Sequence, residues 1–236
     1  MVKHIMAIGT HIGDAELSCG KTLATHAVRG DKITIVSMTA GESNAPSDRS
    51  VEEFIHYNIE CAADFAKALG GEFICLGYPD GDVPESKAVS YRICDLIREK
   101  KPDVVLTHWA KGLSDDHQST ATAVDEGIFY AALKVLERKD VDGKLMPPHW
   151  TRGPYYAENW GDADGFDPHI YIDVTPGFDL WNENIDKIWI INNSPKYKYH
   201  GYFDALSRSR GVMVRVERAE CYSIQPHSKG MLHEGF

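Results

Sequence analysis

The stretch HIMAIGTHIGDAE at residues 4–16 decides the fold of this chain, because it predicts a strand that passes directly into a helix. Residues 4–10 suit a buried strand, and Asp14 suits the start of the following helix, where backbone N–H groups favour an anion. Open α/β sheets place their chemistry at such strand ends. His11 and Asp14 stand at this point, three residues apart, with Gly13 between them.

The same alternation of strand and helix continues along the chain. Strands are predicted at 4–10, 32–39, 73–76 and 103–107, and helices at 14–29, 51–69, 87–100 and 116–138. Beyond a polar loop at 140–153, strands are predicted at 155–157 and 169–174, and helices at 182–193 and 199–210. Asp115 or Asp116 is the predicted N-cap of the 116–138 helix. The pattern predicts an α/β fold, a mostly parallel sheet with helices on both faces, in one domain over residues 1–236.

Composition and charge restrict the classes of function. The chain has 236 residues and a net charge of -10, so nucleic acid and an anionic membrane surface are poor partners. No apolar run approaches the length of a bilayer span, and the N-terminus lacks a signal pattern. The five cysteines form no CxxC pair. We therefore expect neither a disulfide framework nor a thiolate zinc site, and we expect a cytoplasmic location.

His11 and Asp14 predict half of a metal site. An imidazole nitrogen and a carboxylate oxygen suit zinc or another divalent transition metal. The stretch at 108–117 also follows a predicted strand, so His117 is a natural third ligand. Three protein ligands with one free position are typical of a catalytic zinc site. The alternative is that Asp14 only caps the helix and His11 is a loop histidine.

Two glutamates lie near the same predicted edge of the sheet. Glu16 either hydrogen-bonds a metal ligand or is a solvated carboxylate on the first helix. Glu42 follows the second strand and either binds substrate or holds its loop.

The chain resembles the PIG-L/LmbE family of zinc-dependent N-deacetylases, which remove acetyl from N-acetylglucosaminyl and related amides. The family's A-H-P-D-D-x-E-L-G-C-G-G-T-L-A run is matched by residues 10–24, its T-x-G-E by 39–42, its PD loop by 79–80, its H-P-D-H by 114–117 and its I-D-I-T by 172–175. Five matches in the family's order are far more specific than one. The resemblance implies a Rossmann-like α/β sheet and a zinc held by His11, Asp14 and His117. It also implies an N-acyl amino sugar or conjugate as substrate, and a homo-oligomer by analogy.

Several positions depart from the family pattern. Gly13 stands where the family has the aspartate that acts as general base, and Ser114 stands where it has the first histidine of H-P-D-H. Tyr57 and Asn58 stand where a substrate-contacting arginine is often found. One positioned acid or base typically supplies ~10²–10⁴-fold in rate. These losses therefore predict a rearranged or weakened site.

Replacement groups are available in the sequence. Asp116 precedes a predicted ligand and His108 closes the preceding strand, so both are candidate catalytic residues. The candidate substrate-binding residues are Glu42, Asp80 and Glu158.

The sequence thus predicts a metal-dependent hydrolase that resembles N-deacetylases but has altered catalytic residues. The alternative is a catalytically silent member that binds a metal or ligand through the same cleft. A dinucleotide-binding enzyme is disfavoured, because the first turn lacks G-x-G-x-x-G and carries a carboxylate where a pyrophosphate would lie. Trp160 and its tyrosine neighbours either stack on a sugar or pack in the core.

Overall fold

The computed structural model describes residues 2–160 and 164–225. Its strands are β1 His4–Gly9, β2 Lys32–Ser37, β3 Glu72–Cys75, β4 Val104–His108, β5 Arg138–Lys139, β6 Leu145–Met146, β7 Arg152–Ala157, β8 Ile170–Asp173 and β9 Ala219–Ile224. Its α-helices are α1 Asp14–Ser18, α2 Gly20–Val28, α3 Val51–Ala68, α4 Lys87–Lys100, α5 Asp115–Ala132, α6 Phe178–Asn184, α7 Trp189–Asn193 and α8 Tyr199–Val214.

Seven of these strands form one sheet in the order β3-β2-β1-β4-β7-β9-β8. The first five strands run parallel to one another, whereas β9 runs antiparallel to both β7 and β8. The chain moves from β1 outward to β2 and β3 and then returns to β4 on the other side of β1. This reversal opens a crevice at the carboxyl ends of β1 and β4, which is where α/β sheets bind ligands.

Both faces of the sheet are covered. Along β1, Ile5 and Ala7 pack with one buried cluster, and Met6 and Ile8 pack with another. The first cluster takes side chains from α1, α2, α3, α6 and α8, and the second from α4 and α5. Continuous apolar strands are typical of a sheet that is buried on both faces. The predicted α/β fold with a mostly parallel sheet is therefore confirmed.

The predicted helix at 14–29 is wrong in one respect, because the structure breaks it into α1 and α2 at Cys19. The Glu220 carboxylate of β9 accepts hydrogen bonds from the Lys21 and Thr22 N–H groups at 3.2 and 2.8 Å. These N–H groups belong to the first turn of α2, where intrahelical acceptors are lacking. A residue 199 positions away in the chain thus caps the second helix.

The predicted helix at 116–138 is also wrong at both ends. It begins after Ser114, which is its N-cap, and it ends at Ala132. The buried guanidinium of Arg98 on α4 donates to the carbonyls of Tyr130, Ala131, Leu133 and Leu136. Since Arg98 satisfies these carbonyls, the chain leaves the helix there at little cost.

The second half of the chain differs most from the secondary structure predicted from the sequence. Residues 219–224 form β9, which no sequence pattern predicted, and the 140–153 region contains half of the β5–β6 hairpin. The predicted 182–193 helix is α6, a 3₁₀ turn at Ile185–Lys187 and α7 in succession. Among the helices of the described ranges, none has the length and apolar character needed to cross a membrane.

Candidate metal centre and adjoining pocket

The predicted metal ligands lie together at the switch point of the sheet. His11 follows β1, Asp14 begins α1, and His117 lies in the first turn of α5. One ligand atom from each of these three residues lies within 4.8 Å of the other two. The parallel arrangement of β1 and β4 brings these two segments to one edge, although they are about a hundred residues apart in the sequence.

The two distances that join the histidines to Asp14 are compatible with ligands of one tetrahedral cation. Nδ1 of His11 lies 3.1 Å from Asp14 Oδ2, and Nε2 of His117 lies 3.4 Å from the same oxygen. Ligands about 2.0–2.1 Å from a tetrahedral zinc are separated by roughly 3.3 Å. Two imidazole nitrogens and one carboxylate oxygen are also the donor types that zinc accepts.

A second carboxylate orients His11. Nε2 of His11 lies 3.0 Å from Asp80 Oδ1, so Nδ1 is directed toward Asp14. Asp80 Oδ2 accepts the Ser43 N–H at 2.9 Å, and the Asp80 N–H donates to Glu42 Oε1 at 2.9 Å. Such an outer carboxylate fixes the tautomer of a metal-binding histidine. Asp80 and Glu42 therefore join the loops that follow β2 and β3.

Asp116, a candidate catalytic residue, lies beside Nε2 of His11, as Asp80 does. Its Oδ2 accepts the Gly81 N–H at 2.7 Å, and its Oδ1 accepts the Val83 N–H at 3.0 Å. The same Oδ2 lies 3.4 Å from His11 Nε2. Asp116 thus holds the loop that carries Asp80 against the histidine.

His108, the other candidate catalytic residue, is buried, with 3% of its surface exposed. Its Nε2 accepts a hydrogen bond of 2.8 Å from the N–H of Thr10, the residue directly before His11. Its ring stacks on that of His117 with a centroid separation of 4.1 Å and an interplanar angle of 16°. These contacts fix the approach of β1 to the site and the ring plane of His117.

The carboxylates determine the protonation of the cluster. Burial by itself lowers the pKa of His11, but the hydrogen bonds and charges of Asp14 and Asp80 outweigh it and raise the pKa to about 11. Burial raises the pKa of Asp14, but the neighbouring histidines, His117 first, hold it well below its usual value. The metal-free cluster therefore holds a proton on His11 at neutral pH, in a place where positive charge is strongly favoured.

Glu16 is neither solvated nor bonded to a proposed ligand. It is buried, and its Oε2 accepts the N–H of Gly13 at 2.9 Å, which closes the first turn of α1. Burial raises the pKa of Glu16 to about 7.

The backbone conformation at Gly13 is one that favours glycine. Its φ of 113° lies in a region that L side chains rarely adopt. A Cβ added there would lie 3.1 Å from Cγ2 of Ile190 on α7. A side chain at this position would therefore be strained by its backbone and crowded by Ile190.

A cavity of about 240 Å³ opens beside the three proposed ligands. Its walls come from α1, α3, the Gly41–Asn44 turn, the start of α5, the Asn159–Trp160 segment, α7 and the start of α8. The lining residues are His11, Ile12, Gly13, Asp14, Leu17, Gly41, Asn44, Phe54, Asn58, Ser114, His117, Asn159, Trp160, Trp189, Ile190 and Tyr199.

The predicted substrate-binding residues Glu42, Asp80 and Glu158 are not among the described residues that line this cavity. Glu158 is paired with the Arg210 guanidinium through both carboxylate oxygens. Its Oε2 also accepts a hydrogen bond of 3.0 Å from the Cys221 thiol. Glu158 thus ties α8 to β9.

Sequence reasoning missed much of the cavity lining. Asn58 on α3, Trp189 on α7 and Tyr199 on α8 all face it. The dense aromatic composition of residues 189–203 was a signal that could have indicated a wall rather than ordinary core.

The first half of the chain matches a known protein family. Residues 6–128, about half of the chain, match the family model described as PIG-L, GlcNAc-PI de-N-acetylase. The matched segment includes His11, Asp14 and His117.

Solved structures share the whole fold at low sequence identity. GalB, the 4-carboxy-2-hydroxymuconate hydratase of Pseudomonas putida, has a TM-score of 0.83 and 19% identity over 100% of both chains. The N,N'-diacetylchitobiose deacetylase of Pyrococcus horikoshii has a TM-score of 0.80 and 19% identity, over 98% of this chain and 87% of that one. A zinc-inhibited form of the teicoplanin deacetylase Orf2 has a TM-score of 0.67 and 15% identity, over 94% and 99%. At these identities the likeness concerns the fold.

Proposed function

The chain belongs to the PIG-L family of GlcNAc-PI de-N-acetylases, and on that premise we propose that it is a metal-dependent N-deacetylase with a rearranged site. Its substrate is a small N-acyl amino sugar or a similar conjugate. The proposed metal is zinc or another divalent transition metal, held by His11, Asp14 and His117. The observation that carries the proposal is the convergence of these three donors beside a cavity.

A divalent cation at this place supplies Lewis acidity, which lowers the pKa of a water molecule and polarises an acyl carbonyl. Asp80 keeps Nδ1 of His11 directed toward Asp14, and Asp116 keeps Asp80 in place. His108 holds the backbone before His11 and the ring of His117. We therefore assign Asp80, Asp116 and His108 positioning roles.

Proton transfer is the weak part of the proposed mechanism. Apart from the three proposed ligands, the described residues that line the cavity include no carboxylate and no imidazole. Burial, with the nearby charge of Asp14, raises the pKa of Tyr199, so its hydroxyl remains a donor at neutral pH. We propose that Tyr199 donates a hydrogen bond to the acyl oxygen and that the departing amine takes its proton from water, since the described lining offers no other carboxylate or imidazole; Ser114 also lines the cavity. We expect deacetylation to be slow by about 10²–10⁴-fold for each missing acid or base.

Hydration of a carbon–carbon double bond is the second candidate. Hydration breaks no bond to an amine, but it adds a proton to the carbon that does not receive the hydroxyl, so it also needs a donor, for which Tyr199 is available in the lining. GalB, with which the chain shares its fold over its full length, is named as a hydratase of a carboxylated substrate. The uncharged remainder of the lining argues against a substrate of that type here.

The test combines metal analysis with turnover. The purified protein is loaded with zinc, cobalt or iron and assayed for acetate release from a panel of N-acetylglucosaminyl conjugates. Consumption of 4-carboxy-2-hydroxymuconate is followed in parallel. Acetate release that is lost in His117→Asn supports the proposal, and consumption of the muconate alone supports the hydratase. No turnover with any metal would contradict both and favour the catalytically silent alternative.

A cytoplasmic location, a single domain over residues 1–236 and assembly into a homo-oligomer remain predictions. Size-exclusion chromatography with light scattering would test the last of these.

A further inference from the structure

A second cleft, of about 390 Å³, lies between α6, the first turns of α8 and the residue that precedes β9. None of its described lining residues lines the cavity beside the proposed metal centre. Apart from His200, the charged residues of its described lining are Asp204, Arg208 and Arg218. Two arginines thus face one aspartate, in a chain whose net charge is -10. A surplus of positive charge on an acidic protein favours an anionic ligand at that place.

Arg218 is the buried part of this cleft, with 3% of its surface exposed. Its guanidinium lies over the Phe178 ring, 3.3 Å from the ring centre, and its Nη1 donates to Asp204 and to Ser207 Oγ. Among the described residues, neither Nε nor Nη2 has a hydrogen-bond partner. Nε is enclosed by the protein, but Nη2 is not. The N–H groups of Nη2 are therefore left for a ligand in the cleft.

Asp204 does not cancel the positive charge of the cleft. Its Oδ1 accepts from Arg218 Nη1, and its Oδ2 lies 3.4 Å from Arg208 Nε, so two guanidinium groups share one carboxylate. Arg208 is 62% exposed, which leaves its outer N–H groups toward solvent. Two further carboxylates nearby, Asp186 and Glu217, are mostly exposed and are not among the described lining residues.

The first turn of α8 adds backbone donors to the cleft. This helix has 16 residues, its N-cap Lys198 makes no side-chain capping bond, and His200 and Gly201 of its first turn line the cleft. The first N–H groups of an α-helix lack intrahelical acceptors, and the helix dipole favours an anion beside them. A Cβ added at Gly201 would meet no atom within 4 Å, so a ligand has room to approach the backbone there.

We propose that this cleft binds a phosphate-type oxyanion, held by Arg208, Arg218 and the first turn of α8. Guanidinium groups bind phosphate oxygens through charge-assisted hydrogen bonds, and a tetrahedral dianion offers more acceptors than a carboxylate. Tyr199, the first residue of α8, lines the cavity beside the proposed metal centre. An oxyanion in the cleft would therefore hold the helix that carries Tyr199. The inference concerns a separate site and does not depend on the proposed function.

The experiment measures anion binding to the zinc-loaded full chain, freed of excess metal. Inorganic phosphate and glycerol 3-phosphate are titrated calorimetrically at about 0.15 M salt, with acetate as the carboxylate for comparison. We expect at least one of the two phosphates to bind with a Kd below about 1 mM, and acetate to bind at least about tenfold more weakly. This comparison needs no variant.

The two phosphates separate the sources of the ligand. Tighter binding of inorganic phosphate would support the inference with the free ion as ligand. Tighter binding of glycerol 3-phosphate would support it with the phosphoryl group of an organic molecule as ligand. Binding of neither phosphate, or binding of acetate as tight as that of the phosphates, would overturn the inference.

Arg208→Gln removes one charge of the cleft at a side chain that is mostly exposed. We expect it to weaken the binding of inorganic phosphate about fivefold or more. Arg92→Gln on α4 makes the same chemical change at an exposed position outside the cleft and should leave the affinity unchanged. Unchanged phosphate affinity in the Arg208→Gln protein would overturn the inference.

Phosphate bound to the metal instead of the cleft would give a different pattern. His117→Asn removes a proposed metal ligand and should leave the phosphate affinity unchanged. Loss of phosphate binding in His117→Asn, with full binding in Arg208→Gln, would assign the anion to the metal centre and overturn the inference.

Discussion

At the scale of single residues, Gly13 is one of the positions where this chain departs from the sequence pattern of its family. An aspartate introduced there would be strained, because the backbone has a φ of 113° and Ile190 Cγ2 would lie 3.1 Å from the added Cβ. We therefore expect Gly13→Asp to be no more active than the wild type, whichever reaction the site performs.

The first prediction separates strain from crowding. Gly13→Ala should lower the free energy of unfolding by about 2–3 kcal/mol, because it adds a backbone penalty to a close contact with Ile190. Gly30→Ala is the matched control, since its φ is 82° and no atom lies within 4 Å of the added Cβ. The control should lose only about 1 kcal/mol. Urea denaturation measures both, and equal losses would show that Ile190 does not crowd the position.

The second prediction concerns the carboxylate behind His11. Asp80→Asn removes the charge that orients Nε2 of His11, so zinc affinity should fall by about 10–100-fold. Competition with a chromophoric chelator measures this affinity. Asp82→Asn changes an exposed carboxylate in the same loop and should leave the affinity unchanged. If both variants bind zinc like the wild type, Asp80 does not orient the ligand.

At the scale of elements, the junction between α1 and α2 depends on β9. Lys21 and Glu220 are 1% and 8% exposed, and the Lys21 ammonium also lies 3.8 Å from the centre of the Trp181 ring. The Glu220 carboxylate accepts hydrogen bonds from two backbone N–H groups of α2, and it also forms an ion pair with the Lys21 ammonium. This strand residue therefore sets where the second helix begins.

The third prediction follows from that burial. Glu220→Ala should cost about 3–5 kcal/mol of unfolding free energy, because it leaves Lys21 buried and unpaired. Adding Lys21→Met should recover part of this loss. As a control, Glu72→Ala, at a more exposed pair with Lys100, should cost about 1 kcal/mol or less. Thermal and urea unfolding provide the double-mutant cycle, and strictly additive losses would rule out the coupling.

At the scale of the whole molecule, the proposed metal centre joins β1 and β4 through the segments that follow them. A cation that binds only the folded protein stabilises it by about 2.7 kcal/mol at a free concentration of 100 times its Kd. The centre thus links metal binding to global stability.

The fourth prediction is that zinc raises Tm, and that this increase is larger at pH 8 than at pH 6. In the metal-free protein the pKa of His11 is raised from 6.5 to about 11. The stabilisation by protonated His11 is therefore complete below about pH 6.5 and is lost as the pH rises toward 11. Zinc must displace this proton, so its affinity increases with pH over the same interval.

Differential scanning fluorimetry with zinc or with a chelator at the two pH values measures the effect. His117→Asn should abolish the zinc-dependent increase at both. A larger increase at pH 6 than at pH 8 would contradict the assignment of His11 as a ligand.

How far the sequence predicted the molecule depends on the range of the contacts involved. Buried strands such as 4–10 and amphipathic helices such as 51–69 show in local patterns, and the structure has β1 and α3 there. The C-terminal end of α5 was mispredicted because Arg98, 32 to 38 residues away, binds its last carbonyls. No window of local sequence contains that contact.

The sequence by itself determined the α/β class, the family and the candidate ligands His11, Asp14 and His117, because these depend on residue type, on short motifs and on the position of each motif directly after a predicted strand. Only the tertiary structure decided that Asp80 turns toward His11, that β9 caps α2, and that Asn58 and Tyr199 line the cavity. These features arise where segments distant in the sequence meet at the edge of the sheet. Only the folded chain brings these groups within hydrogen-bonding distance, so no local stretch of sequence could indicate them.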